Sequence, residues 1–123
     1  MLLDRFRLDE KVALIAGAGR GIGRAIAEGL AEVGAETILV ARTQSEVQAA
    51  AKAAGRFGRR AIPVAADMAD PAARDSVVEM AIGLFNKIDI LVNATAVGSP
   101  GENPREAPAG ERFLTTTPES GPR

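Results

Sequence analysis

The chain has 123 residues, 46% of them hydrophobic, with a formal charge of −1 at neutral pH. That length allows one domain at most, and so small a charge offers no field for nucleic acid or an anionic membrane. Cys and His are both absent, which removes disulfides, thiolate catalysis, and the usual metal ligand and general base, so no metal site is expected.

Residues 1–10 alternate charged and apolar side chains, which is not a signal-peptide pattern, and no run approaches membrane-spanning length. A soluble cytoplasmic protein is expected. Leu2, Leu3, Phe6 and Leu8 read as a short extension with local packing only. Val12–Ala16 is a continuous apolar run bounded by glycine, as suits a strand covered on both faces of a parallel sheet. Gly17, Gly19, Gly21 and Gly23 then alternate through a turn, where missing side chains let backbone N–H groups approach a ligand. Ile22, Ile26, Leu30 and Val33 recur at helical spacing, so a helix begins beside that turn and ends near Gly34. A strand, a glycine turn and a helix start in this order make a site for the pyrophosphate of a dinucleotide.

The spacing narrows the class. G-x-G-x-x-G fails, because Ile22 or Arg24 stands where the last glycine would be, and no Lys-Ser/Thr follows as in an NTPase phosphate loop. Gly17, Gly21 and Gly23 fit G-x-x-x-G-x-G. With the preceding Val-Ala-Leu-Ile, this resembles the short-chain dehydrogenase/reductase family, whose motif is usually Thr-Gly-x-x-x-Gly-Ile-Gly. Ala16 replaces the threonine, so one side-chain hydrogen bond around the turn is lost. The opening Asp9-Glu10-Lys11-Val12-Ala13-Leu14 is similar to family members described as 3-oxoacyl carrier-protein reductases.

Thr37–Ala41 reads as a second buried strand. Thr43 or Ser45 caps a second helix, whose Val47, Ala50, Ala54 and Phe57 share a face and which stops at Gly58. Ala61–Ala65 is the third strand, and Pro63 assigns it to a sheet edge because proline cannot donate to a ladder. Asp70 and Pro71 open a helix through about Asn86, with Val77, Met80, Ala81, Leu84 and Phe85 as its apolar face. Ile88–Asn93 is the fourth strand. The expected fold is therefore α/β, a Rossmann-type doubly wound parallel sheet of about four strands in the order 3-2-1-4 with three helices.

Residues 94–123 hold five of the seven prolines and no periodic apolar pattern beyond the Phe113-Leu114 pair. They read as a disordered Pro/Gly-rich tail following a dinucleotide-binding unit over residues 1–93.

The resemblance covers roughly residues 8–96 and implies site residues. Gly17, Gly19, Arg20, Gly21, Ile22 and Gly23 would form the dinucleotide turn. Asp67, after the third strand, stands where the family has an aspartate meeting the adenine. Asn93 ends the fourth strand where the family reads Asn-Asn-Ala-Gly, although here the text is Asn93-Ala94-Thr95-Ala96. A carboxylate at the end of the second strand would hydrogen-bond a ribose 2′-hydroxyl. That position is Ala41, followed by Arg42, and Arg20 lies in the turn. Guanidinium groups suit a 2′-phosphate, so NADP is expected in preference to NAD.

The family works through Tyr-x-x-x-Lys with a serine ahead of it. This chain has no tyrosine, and its lysines are Lys11, Lys52 and Lys87, all before the fourth strand ends. No catalytic residue is assigned. The expectation is a truncated NADP-binding fragment of a short-chain oxidoreductase, inactive by itself. A non-catalytic dinucleotide-binding or regulatory module, and an enzyme completed by a partner chain, are the alternatives. The uncovered fourth strand would be a site of self-association.

Overall fold

The computed structural model describes residues 5–95. The tail expected over residues 94–123 falls outside them from residue 96 onward, as do Leu2 and Leu3. Four parallel strands, β1 (Val12–Ala16), β2 (Glu36–Ala41), β3 (Ala61–Ala65) and β4 (Ile90–Asn93), form one sheet in the order β3-β2-β1-β4. Three helices connect them: α1 (Gly21–Glu32), α2 (Gln44–Gly55) and α3 (Pro71–Phe85). Apart from short differences at element ends, the architecture is the one expected from the sequence.

The strands alternate between two cores, as a pleated sheet requires. Ala13, Ile15 and Leu39 pack beneath α1 and α2 against Ala27, Val47, Ala50 and Ala51. Val12, Leu14, Ile38 and Val40 face the other way, against Val77 and Ala81 of α3. All five β1 residues are buried, which is why their run is uniformly apolar rather than alternating. Pro63 pairs in register with Leu39 on an outer strand, where its missing N–H costs no ladder bond.

The helix faces differ from the sequence expectation in detail. The buried stripe of α1 is Gly23, Ala27 and Ala31, and Ile22 is 77% exposed. Small residues let the helix approach the sheet closely, and that displaces the larger Ile22 stripe sideways. Leu84, expected inward on α3, is 45% exposed because only Val77 and Ala81 of that helix are fully buried. α2 ends at Gly55, short of Phe57 and Gly58. β4 begins at Ile90 rather than Ile88, whose side chain packs on the α3 core instead.

Local chemistry fixes the ends. The Asp70 side chain accepts the Ala72 amide at 3.0 Å, and Pro71 follows it at the start of α3. Gly34, at φ 108°, donates to the Ala31 carbonyl at 3.0 Å and turns the chain out of α1. The N-terminal extension does more than pack locally: Leu8 N–H donates to Val33 O at 2.7 Å, and the Arg7 guanidinium reaches the Glu32 carbonyl. Phe6, expected to pack, is 62% exposed. Asp9 pairs with Arg7 at 2.9 Å and Arg59 at 3.1 Å, and the Arg7 hydrogen bond foremost holds its carboxyl below the usual range. Glu28 pairs with Arg24 of α1 at 3.1 Å and with Arg56, just beyond α2, at 3.3 Å.

Candidate cofactor-binding site

The strand order reverses direction between β1 and β4, and in a sheet of this kind ligands bind beyond the carboxyl ends of the strands at that point. The glycine turn leaves β1 there. The amides of Gly17 and Ala18 both donate to the Val40 carbonyl, at 2.8 and 3.0 Å, so the turn is tied to β2. On the other side, the Ala94 amide donates to the Ala16 carbonyl at 2.9 Å, which holds the chain leaving β4 against the same turn.

The four glycines have different tasks. A Cβ at Gly17, which has φ 81°, would lie 2.7 Å from the Ala94–Thr95 backbone. A Cβ at Gly23 would collide with the Gly17 carbonyl oxygen. At Gly19 it would meet Ala41 Cβ at 3.1 Å and Glu46 at 3.2 Å. These three glycines let chain segments approach one another. Gly21 alone faces open space, with φ 61°. Of the four glycines expected at the site, Gly21 has open space beside it, and the other three shape the turn around it.

The start of α1 is poised for an anion. The first amides of a helix have no intrahelical partner. Arg20 at the N-cap makes no side-chain hydrogen bond to them, and the first turn holds no acidic residue. The positive end of the helix dipole and these amides thus open beside the vacant Cβ position of Gly21. This geometry fits a dinucleotide pyrophosphate.

The other candidates divide. Arg20 and Arg42 are exposed at the turn and just past β2, and neither has an ion-pair partner among the described residues. Asp67 is exposed, and its Oδ1 accepts the Ala69 amide at 2.9 Å, bracing the turn into α3. Asn93 Oδ1 accepts from the Thr95 amide at 3.2 Å and from Thr95 Oγ1 at 2.6 Å. Both side chains thus carry a local structural bond. Ile22 lies exposed one residue into α1. The sequence reading missed Ala94 and Glu46, which line the turn through Gly17, Gly19 and Gly23. Nothing local in the text signals either, because both come from elements distant in sequence. Among the described residues there is no group of His, Cys, Asp and Glu able to hold a metal ion, and no helix is long and apolar enough to cross a membrane.

Comparison with known proteins agrees with this geometry. The short chain dehydrogenase family model matches residues 11–113. An uncharacterised oxidoreductase of Mycobacterium tuberculosis is 50% identical over 93 residues, covering 76% of this chain and 35% of that protein. The peroxisomal 2,4-dienoyl-CoA reductase of Pongo abelii is 42% identical over 90 residues, covering 72% of this chain and 31% of its own. Among solved structures, L-sorbose reductase from Gluconobacter frateurii, complexed with NADPH and L-sorbose, superimposes with a TM-score of 0.75. It is 39% identical and the match covers 90% of this chain and 44% of that one.

A parallel sheet switching direction over an uncapped helix start defines a Rossmann-type nucleotide fold. The chain belongs to the short-chain dehydrogenase family. It spans about a third of the length of the curated relatives it matches.

Proposed function

We propose that this chain is the dinucleotide-binding part of an NADP-preferring short-chain oxidoreductase that interconverts a carbonyl and an alcohol. The observation that carries the reading is the uncapped start of α1 beside the open side of Gly21. Arg20 and Arg42, without carboxylate partners among the described residues, would hold the 2′-phosphate. Gly17, Gly19, Ile22 and Gly23 would form the turn around the pyrophosphate, and Asp67 and Asn93 would border the adenine and the strand end. In this reading residues 1–93 are the binding unit and the setting is cytoplasmic.

The chain alone is proposed to bind without turnover. It contains no tyrosine to serve as the family's acid/base, and a positioned acid/base contributes typically about 10²–10⁴-fold. Its β4 edge, unpaired among the described residues, is proposed to associate with a second copy. Fluorescence titration with NADPH and NADH tests the binding reading. Tighter NADPH binding that Arg42→Ala abolishes supports it, and equal affinities or no binding overturn it. Oxidation of NADPH by the purified chain with any carbonyl substrate would overturn the assignment of inactivity.

A further inference from the structure

We infer that Glu46 is a second determinant of dinucleotide choice, an anion that opposes Arg20 and Arg42 at the ribose corner and limits the preference for a 2′-phosphate. The inference rests on the dinucleotide reading of the glycine turn. Glu46 belongs to the first turn of α2 and is half-buried. Its Cβ and Oε1 both lie 3.2 Å from the position a Cβ would take on Gly19, beside Ala41 Cβ. The carboxylate therefore stands between the glycine turn and the end of β2. In folds of this kind the end of β2 is where the adenosine ribose is read, commonly by an acidic residue on the strand itself. Here that residue is Ala41, and a carboxylate is supplied instead by Glu46 in the first turn of α2.

Glu46 makes no hydrogen bond or ion pair among the described residues. It is not spent on Arg20 or Arg42, which are also unpaired among the described residues. Arg20 follows Gly19 and Arg42 follows Ala41, the two positions that meet beside Glu46, so three charged residues flank one corner and no ion pair joins them among the described residues. A 2′-phosphate entering it meets two guanidinium groups that attract it and one carboxylate that repels it. A ribose without the phosphate meets in Glu46 an acceptor for its hydroxyl. The corner then accepts both dinucleotides, with the arginines setting the direction of preference and Glu46 its ceiling. A carboxylate in the first turn also favours the α2 dipole. That role would alter stability and leave the ratio of the two affinities unchanged, so the two roles separate by measurement.

The experiment measures NADP+ and NAD+ dissociation constants by calorimetry for the full chain, Glu46→Gln and Arg42→Ala. Gln keeps the shape and removes the charge, and a thermal melt checks folding. The expected result for Glu46→Gln is an NADP+/NAD+ preference raised about fivefold at low salt, the scale of one like-charge contact in a solvated site. The gain should shrink as salt is added. An unchanged or lower preference in Glu46→Gln, with Arg42→Ala still losing its own, overturns the role of Glu46 while the dinucleotide reading stands. Failure of the unaltered chain to bind either dinucleotide overturns both.

Discussion

Leu14 and Leu91 are register neighbours on β1 and β4, yet Leu14 is 1% exposed and Leu91 is 71% exposed. Both point to the α3 side of the sheet. Val77 and Ala81 of α3 cover Leu14 together with Val12, Ile38 and Val40, and that cover does not extend to β4. One face of the sheet is thus closed over β1 and β2 and open over β4.

The first prediction follows from that opening. Burial of a leucine side chain is worth about 1.5–3 kcal/mol, so two copies gain by hiding Leu91 at a shared β4 edge. Leu91→Lys should reduce self-association in sedimentation velocity. Because the side chain is largely in water, the melting temperature should move little. Unaltered sedimentation would show that the β4 edge is not the associating surface.

The link between Asp89 and Val12 gives a pH dependence. The Asp89 carboxylate accepts the Val12 amide at 2.8 Å while the Asp89 amide donates to the Val12 carbonyl at 2.8 Å. Lys87 stands 3.1 Å from the same carboxylate. The Val12 hydrogen bond first, then Lys87, holds the Asp89 carboxyl below its usual value. A depressed folded-state value means the contribution is full above the unfolded aspartate value and is lost as pH falls through the folded one. Asp89→Asn should lower the melting temperature at neutral pH, with a deficit that narrows under acid. A deficit that stays constant down to acid pH would contradict the linkage.

Much of this was legible in the sequence, for identifiable reasons. Pro63 placed β3 at the edge, and the unbroken apolar run Val12–Ala16 placed β1 at the centre, because each reflects a backbone constraint local to the residue. The inward face of α1 was legible only in part. Periodicity gave Ile22, Ile26, Leu30 and Val33, of which Leu30 does pack against the core, whereas close approach to the sheet selected Gly23, Ala27 and Ala31 for full burial. Glycine spacing revealed the turn but not the division of labour within it. That division depends on Ala94 and Glu46, which reach the turn only through the tertiary fold.

Thr37 is fully buried, and its hydroxyl has no hydrogen-bond partner among the described residues. An unsatisfied buried polar group costs about 1–3 kcal/mol. Thr37→Val keeps the branched shape suited to a strand and removes the hydroxyl. Chemical denaturation should show a gain of about 1 kcal/mol. A loss of stability would mean that the hydroxyl is satisfied in solution.

The last prediction separates the two kinds of glycine in the turn. In Gly23→Ala the new methyl meets the Gly17 carbonyl oxygen, whose peptide is held by the Ala18 amide's bond to the Val40 carbonyl. No flexible side chain is there to give way, so the turn itself must move. Gly23→Ala should lose both thermal stability and dinucleotide binding. In Gly21→Ala the methyl meets nothing, and the folding cost is that of a positive φ, about 1–2 kcal/mol. The same methyl projects into the open space beside the α1 amides where the pyrophosphate is proposed to lie. Gly21→Ala should therefore remain folded at low temperature while binding NADPH at least about tenfold more weakly, equivalent to about 1.4 kcal/mol. Circular dichroism melts and fluorescence titration on the two variants decide the matter. If Gly21→Ala binds as tightly as the unaltered chain, the open side of Gly21 is not where the pyrophosphate lies.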